Sequence, residues 1–321
     1  NKDLNTAYFR NANLVAPTPF NVSGYPDNRL MYPASNNQKY INPLTPAGLY
    51  SPTGTTGYNA TVLGNASQGY YWSFNAKLEK QFNRGFSASL AYVRNGAQNL
   101  FDGGGDQPAS AFQGTATVNG SNNATLSYAN YVVPNRVVGA ISYRKEYAKF
   151  MATSISLVYQ GSADGRFSYI YSTDFNRDGA NADLIYIPKD PSEITFVSQT
   201  VGSGASAVTY TAQQQSDAFF KYVDQDKYLS ERKGQYAERN GASLPWRNQF
   251  DFRILQDFYV NVSGKRNTIQ LSLDVFNLGN LLNKDWGLTK TINNSSILVP
   301  TNNAALVAGG TVKPTYRLAL D

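Results

Sequence analysis

The chain has 321 residues, with 23 Tyr, 17 Phe and 26 Gly, and it contains no His and no Cys. The absence of Cys excludes a disulfide framework and a thiolate metal site, and the absence of His excludes Ser-His-Asp catalysis. The formal net charge of +6 comes from scattered Lys and Arg and not from a basic run, so no nucleic-acid partner is expected.

No run of about 18 apolar residues predicts a transmembrane helix. Barrel strands carry alternating apolar residues instead, and a hydropathy scan does not detect them. The chain begins at Asn1 and has no signal peptide, so we expect a fragment or a processed chain.

Residues 1–68 are rich in Asn, Pro, Gly, Thr and Tyr, and no hydrophobic period persists through them. They predict a long irregular segment, which soluble domains rarely contain. Outer-membrane barrels carry such segments on their outer side.

Alternation of apolar and polar residues begins at Tyr70 and continues to Phe82, longer than the usual soluble strand of about five or six residues. A turn at 83–85 leads into a second alternating strand from Phe86. Two further pairs follow: 136–147 with 151–160, and 247–258 with 268–275.

The connections within the pairs are short (83–85, 147–150 and 259–267), whereas those between pairs are long (98–134 and 172–245). Together with one apolar and one polar face, this asymmetry favours an all-β fold, a transmembrane antiparallel β-barrel with long extracellular loops, over a soluble sheet. Six strands are too few to close a bacterial barrel, so further strands must complete it.

Five stretches resemble segments of TonB-dependent outer-membrane receptors that carry an N-terminal carboxypeptidase-regulatory-like domain. They are 167–188 (FSYIYSTDFNRDGANADLIYIP), 234–241 (GQYAERNG), 245–253 (PWRNQFDFR), 256–258 (QDF) and 271–287 (LSLDVFNLGNLLNKDWG). The resemblance runs along the whole chain.

The resemblance implies a 22-stranded barrel filled by a plug domain, located in the cell outer membrane and importing a large or scarce nutrient. The implied partners are outer-membrane lipid, the plug domain, the remaining strands, the inner-membrane TonB energy system and a surface lipoprotein. Residues 1–321 would then be the C-terminal part of the barrel, without the plug, the upstream strands and the last strand.

Asp174, Asn176 and Asp178, followed by Gly179, match the first half of an EF-hand-type loop, in which alternate oxygen ligands converge on Ca²⁺. The Glu expected at loop position 12 is missing, and Asp183 is the candidate substitute. The alternative is a turn whose side chains accept hydrogen bonds from their own backbone, which the missing ligand favours. Ca²⁺ is the one cofactor that the sequence suggests.

Residues 212–240 interrupt the strand pattern and predict one short loop helix, with Ser216 as its N-cap and Gly241 as its stop. Phe219, Phe220 and Val223 share one side of this helix. A helix packed on the barrel rim is favoured over a lid that grips substrate.

Charged residues on the polar face of the strands are expected to point into the lumen or toward the plug: Lys77, Glu79, Arg247, Asp251, Arg253, Asp257 and Asp274. Pairing between these charges is favoured over substrate selection, because buried charges need partners. Aromatic residues near the strand ends predict interfacial anchors: Trp72, Tyr92, Tyr143, Tyr159 and Phe258.

We therefore expect a receptor without enzymatic activity, because no paired carboxylates in distinct environments are recognisable. Two alternatives remain. One is a structural barrel of an envelope complex that imports nothing. The other is a soluble calcium-dependent carbohydrate-binding module, which would have strands of about five or six residues.

Overall fold

The structure, a computed structural model, describes residues 6–102 and 107–319. The expected extent of the barrel portion, 1–321, therefore includes residues 1–5, 103–106 and 320–321, which lie outside the described residues. The fold is rich in β-strands and belongs to the all-β class. No helix in the described ranges is both long enough and apolar enough to cross a membrane.

Most of the strands are short, and the helices lie between them in the connecting segments. The strands are β1 (Thr6–Asn11), β2 (Thr18–Pro19), β3 (Leu30–Met31), β4 (Thr61–Ala66), β5 (Tyr70–Gln81), β6 (Phe86–Asn99), β7 (Ser127–Tyr128), β8 (Asn135–Tyr147), β9 (Met151–Ala163), β10 (Arg166–Phe167), β11 (Tyr186–Ile187), β12 (Thr195–Phe196), β13 (Gln199–Val201), β14 (Val208–Tyr210), β15 (Gln235–Tyr236), β16 (Ala242–Ser243), β17 (Trp246–Val262), β18 (Lys265–Val275), β19 (Leu298–Pro300) and β20 (Thr315–Leu318). The α-helices are α1 (Asn36–Lys39), α2 (Pro108–Gly114), α3 (Ala212–Gln225) and α4 (Lys227–Ser230).

Six long strands form one antiparallel sheet in the order β18-β17-β9-β8-β6-β5, with the short β7 beside the end of β6. These strands are 11 to 17 residues long, so the prediction of six long strands is confirmed. The three predicted pairs also adjoin one another, through β6 with β8 and β9 with β17. Among the described strands the sheet is open, with β5 and β18 at its edges.

The strand register places apolar side chains of all six strands on one side of the sheet, which we call the apolar face. Leu78 lies opposite Leu90, and Ile254 lies opposite Leu273. Successive side chains of a strand point to opposite sides, so the intervening residues form a polar face. The apolar face is open: Leu78 is 73% exposed and Leu273 is 57% exposed.

Tight turns join the strands at one end of the sheet. Ala148 and Lys149 both have positive φ angles, of 52° and 60°, and Ser263 and Gly264 have 51° and 77°. Hairpins with two central residues at positive φ match the twist of the flanking strands. The third turn is shorter than the expected 259–267, because β17 continues to Val262 and β18 begins at Lys265.

At the other end of the sheet, the described parts of residues 6–69, 100–134, 164–245 and 276–319 pack into what we call the loop assembly. Its main apolar core draws on three of the four segments, for example through Phe20, Phe175, Phe219 and Leu298. A second core joins Phe9, Leu14, Tyr32, Leu100, Phe101, Ala111 and Phe112. In the six long strands, by comparison, only Ala97 and Ala152 are buried apolar residues within the described ranges.

The expectation of irregular structure through residues 1–68 is wrong in part. β1 pairs with β4 over six residues, from Thr6 opposite Ala66 to Asn11 opposite Thr61. The two strands are short and lie far apart in the chain, so neither shows a lasting alternation in the sequence. The short pair β2–β3 also lies in this segment.

The prediction of one short loop helix is also corrected. The described residues contain four α-helices, and the longest, α3, begins at Ala212 and not after Ser216. Thr211 is its N-cap: the Thr211 hydroxyl accepts from the Gln214 backbone N–H at 3.2 Å, and the Gln214 side chain accepts from the Thr211 N–H at 2.9 Å. The last helix, α4, ends at Ser230 and not near Gly241.

One hairpin projects from the loop assembly. β13 and β14 pair from Gln199 opposite Tyr210 to Val201 opposite Val208. Every residue from 200 to 210 is exposed, including the connection at 202–207. This hairpin therefore contributes nothing to the core of the assembly.

The helix α3 is held to the core by its buried side, so truncation there should destabilise the loop assembly. Phe219 is 1% exposed, and its ring lies 5.7 Å from that of Phe196. We expect Phe219→Ala to lower the free energy of unfolding by about 3–5 kcal/mol, because the cavity cannot fully collapse. Thermal unfolding followed by near-UV circular dichroism measures this. Lys221→Ala, on the exposed side of the same helix, should leave the transition unchanged.

Candidate functional site

The charged residues expected to share a lumen-facing side do share the polar face of the sheet. The strand register places Lys77, Glu79, Arg247, Asp251, Arg253, Asp257 and Asp274 on it together. The five expected interfacial aromatics, Trp72, Tyr92, Tyr143, Tyr159 and Phe258, all lie on the opposite, apolar face. The alternation in the sequence therefore sorted both sets correctly by face.

Most charges on the polar face are paired. Arg253 lies directly opposite Asp274 and forms an ion pair with it. The other pairs are Arg144 Nη2 to Asp257 Oδ2 at 2.8 Å, Lys77 Nζ to Glu79 Oε2 at 2.6 Å, and Arg247 Nε to Asp164 Oδ1 at 2.5 Å. Asp251 accepts from the backbone N–H of Asn277 at 2.8 Å. These contacts favour a role in holding strands and loops together.

A cleft lies where the polar face meets the loop assembly. Its volume is about 470 Å³, and its wall includes Arg136, Gln160, Arg247 and Gln249 from the strands. Residues 131–133 of the loop assembly form the opposite side. Among the described residues, those that line the cleft include cationic and amide side chains but no carboxylate.

A buried arginine that the sequence did not single out joins several parts of the loop assembly. Arg29 is 1% exposed, and its Nε donates to both carboxylate oxygens of Asp27 at 3.0 Å. Its Nη2 donates to the backbone oxygen of Leu184 at 2.9 Å, and its Nη1 lies 4.0 Å from Asp183 Oδ1. Arg29 therefore joins the N-terminal segment to residues 183–184.

Aromatic rings enclose the same guanidinium. Its centre lies 5.0 Å from the ring of Tyr171, 4.8 Å from that of Phe175 and 5.5 Å from that of Tyr236. Burial alone would lower the pKa of Arg29, but Asp27, Tyr171 and Asp183 together outweigh burial, so the pKa is raised. The cation is thus fixed in its charged form by one carboxylate pair and three ring faces.

Asp174, Asn176, Asp178 and Asp183 are brought together in one tight loop. Asp174 Oδ2 accepts from Gly179 N at 2.9 Å, and Asp178 Oδ1 accepts from Ala180 N at 2.8 Å. Asn176 Oδ1 accepts from Asp178 N at 2.8 Å. These side chains therefore accept hydrogen bonds from the backbone of their own loop, an arrangement that occurs both in simple turns and in calcium loops.

Asp183 fixes the backbone of this loop. Its Oδ2 accepts from Phe175 N at 2.7 Å and from Asn176 N at 3.3 Å, while its Oδ1 lies toward Arg29. This carboxylate is thus engaged by backbone N–H groups on one oxygen and lies near a cation on the other.

The carboxylates of the loop oppose one another electrostatically. Burial raises the pKa of Asp174. Burial, and then the nearby charge of Asp174, raise the pKa of Asp178 to about 7. Burial, and then Asp178, raise the pKa of Asp183 well above its usual value, although Arg29 lowers it. Lys39 lowers the pKa of Asp174 and Asp178, but burial outweighs this cation at both carboxylates.

No three acidic side chains within the described ranges meet closely enough to form a metal site by themselves. The loop nevertheless carries a free, buried ligand atom, because Asp174 Oδ1 has no hydrogen-bond partner. A cation at this loop would have to combine carboxylate, amide, backbone and water oxygens, a mixture that Ca²⁺ accepts.

Comparison with protein-family models, with curated proteins and with solved structures finds no match to this chain. The functional interpretation therefore depends on the geometry described above and on the resemblance seen in the sequence.

A substitution at Arg29 tests how the loop assembly is held together. We expect Arg29→Met to destabilise the assembly by about 3–5 kcal/mol, because Asp27 and Asp183 stay buried without their cation. Thermal unfolding at neutral pH measures this loss. Arg317→Met, which removes an exposed cation from β20, is the control and should have little effect. Equal transitions for both variants would contradict a central role for Arg29.

Proposed function

We propose that the chain forms part of the wall of an outer-membrane β-barrel of the TonB-dependent receptor type, with the loop assembly on the outside of the cell. The observation that carries this proposal is the apolar face, which continues across six neighbouring strands and is left open to the surroundings. Water-soluble proteins rarely expose a contiguous apolar surface of this extent. A lipid bilayer would cover it.

The strand lengths fit the thickness of a bilayer. A tilted strand needs about 9–11 residues to cross the hydrocarbon layer, and the six strands have 11 to 17. The alternative of a soluble calcium-dependent module is disfavoured, because it calls for strands of about five or six residues.

The distribution of aromatic residues on the apolar face also supports placement of the sheet in a bilayer. Trp72 and Trp246 lie toward the loop assembly, and Tyr143 and Phe258 lie toward the tight turns. Between these ends the face carries aliphatic side chains such as Leu78, Leu90, Ile141 and Leu157, together with the rings of Tyr159, Phe250 and Phe252. Aromatic rings at both interfaces and aliphatic side chains between them are typical of outer-membrane barrels.

The polar face would line the barrel interior. Its ion pairs suit a wall that borders a plug domain, and the edges of the sheet at β5 and β18 call for further strands, since unpaired backbone groups are not tolerated in lipid. By the resemblance, the complete receptor would import a large or scarce nutrient, such as an oligosaccharide, a peptide or a metal chelate. It would act with the TonB system and a surface lipoprotein, and without enzymatic activity.

A second candidate is a barrel that organises an envelope complex and imports nothing. The packed apolar core of the loop assembly favours it, because a fixed outer surface suits a stable protein partner. A loop that moves during substrate capture would have fewer buried contacts. Radiolabelled-substrate uptake that depends on the TonB system would exclude this candidate.

Spin labelling of β18 tests the membrane placement directly, because the chain contains no native Cys. Nitroxides at Leu271→Cys and Leu273→Cys should be accessible to oxygen dissolved in lipid. Those at Ser272→Cys and Asp274→Cys should respond to a water-soluble nickel reagent instead. The measurement is power-saturation electron paramagnetic resonance on the purified protein in lipid vesicles. Nickel access at all four sites would overturn the proposal.

The same neighbouring residues predict a difference in stability. Leu271→Arg places a charge on the lipid-facing side, near the turn end of the sheet, and should lower the free energy of unfolding by about 1–2 kcal/mol, between the values for a cation at an interface and at the bilayer midplane. Ser272→Arg places the same charge on the polar face and should cost much less. Denaturant unfolding in lipid vesicles compares the two variants. Equal losses would mean that the two faces meet the same solvent.

A further inference from the structure

Buried polar atoms without partners are concentrated around one loop. Ten such side-chain atoms occur in the described residues, and three belong to Thr173, Asp174 and Asn176. Two more, from Tyr32 and Asn303, belong to residues whose backbone or side chain bonds to the same loop. Four of these five atoms are oxygens, and the fifth is the amide nitrogen of Asn176, which donates and cannot bind a cation. Orphaned buried groups are rare in proteins, so four unbonded oxygens around one loop suit a cation.

One carboxylate oxygen of Asp174 has no hydrogen-bond partner, and it belongs to a loop whose backbone turns back sharply. Asp174 Oδ2 accepts from Gly179 N, five residues ahead, which leaves Oδ1 buried and unbonded. Arg177 and Gly179 have positive φ angles of 66° and 94°, which turn the chain back sharply. The turn thereby brings the chain back to the Asp174 carboxylate at Gly179.

Tyr32 provides an independent observation from a distant part of the chain. It is 1% exposed, its hydroxyl has no partner, and its backbone N–H donates to Asn176 O at 2.8 Å. A Cβ built on Gly120 would lie 2.9 Å from Asp178 Oδ2 and 3.2 Å from Tyr32 Cε2, so these two side chains border one spot. An unbonded oxygen thus lies beside the acidic loop.

The charge balance of the loop points to a cation. Asp174, Asp178 and Asp183 form a cluster in which Arg29 is the one cation within ion-pair distance in the described residues, 4.0 Å from Asp183. Lys39 acts on Asp174 and Asp178 from beyond ion-pair distance. That Arg is already bonded to Asp27. A divalent cation would offset the remaining repulsion and would bond the orphaned oxygens at the same time.

We propose that residues 174–178 bind a Ca²⁺ ion through the side chains of Asp174, Asn176 and Asp178. Backbone carbonyls and water complete its shell. Ca²⁺ fits better than Mg²⁺, because it accepts six to eight oxygens in irregular geometry, whereas Mg²⁺ needs a near-ideal octahedron. Asp183 holds the loop backbone and does not act as the terminal ligand. This inference stands independently of the membrane placement.

Bound Ca²⁺ would link separate parts of the loop assembly. Ser121 N donates to Asp178 Oδ2 at 3.1 Å, and Asn303 Nδ2 donates to the backbone oxygen of Asp174 at 2.8 Å. With Tyr32, three distant segments therefore meet the loop. The ion would stabilise the whole assembly and not only the turn that holds it.

The test is thermal unfolding of the purified protein after treatment with chelator, with Ca²⁺ or Mg²⁺ then added. We expect Ca²⁺ to raise the Tm by at least about 4 °C, with half-saturation at about 10⁻⁴ to 10⁻³ M, as in extracellular calcium modules. Mg²⁺ should do much less. Terbium added in place of Ca²⁺ should show luminescence sensitised by the nearby tyrosines, and Ca²⁺ should quench it by competition.

The decisive variants remove charge but keep the hydrogen-bond acceptors of the turn. Asp174→Asn and Asp178→Asn should fold normally, lose the Tm response to Ca²⁺ and lose the terbium signal. Asp190→Asn and Asp217→Asn, which remove exposed carboxylates of the same assembly, should keep both. A wild-type Tm unchanged by roughly 10 mM Ca²⁺, or a full response in Asp174→Asn, would overturn the proposal.

Discussion

Cross-strand register is the constraint on which the rest of the molecule depends. Antiparallel pairing places the apolar residues of neighbouring strands on one side of the sheet, from β5 to β18, although a few of them, such as Phe74 and Leu271, lie opposite a polar residue. A slip of one residue in any pair would reverse the two faces of that strand. The same register brings Arg253 opposite Asp274 and holds the tight turns at one end, so faces, ion pairs and loop lengths have a common origin.

The two ends of the molecule are stabilised in different ways. The sheet has backbone hydrogen bonds but almost no buried apolar core of its own, so its surroundings must supply the apolar contacts. The loop assembly has its own cores, closed by Arg29 and its aromatic neighbours. We therefore expect the stability of the sheet to depend strongly on the surrounding solvent, whereas the stability of the loop assembly should depend mainly on charge and packing.

Local patterns explain what could be predicted from the sequence. The alternation that begins at Tyr70 identified the long strands and both faces, and the spacing of Asp174, Asn176 and Asp178 identified the acidic loop, because each signal lies within a few residues. The contacts of Arg29 could not be predicted, since Leu184 and Tyr236 are far away in the chain. The sequence does contain a signal for the start of α3, because Thr211 and Gln214 have capping-box spacing, but the predicted N-cap is Ser216 instead.

The projecting hairpin of β13 and β14 is a suitable place to insert an epitope or a label. A short peptide epitope inserted at residues 202–207 would interrupt no buried contact, whereas the same insertion at 184–187 would break the core, where all four residues are buried. If the chain lies in the outer membrane as proposed, antibody staining of unbroken cells would report on which side the loop assembly lies. The hairpin could also carry a fluorescent label for following the protein in living envelopes without disturbing the acidic loop or the sheet.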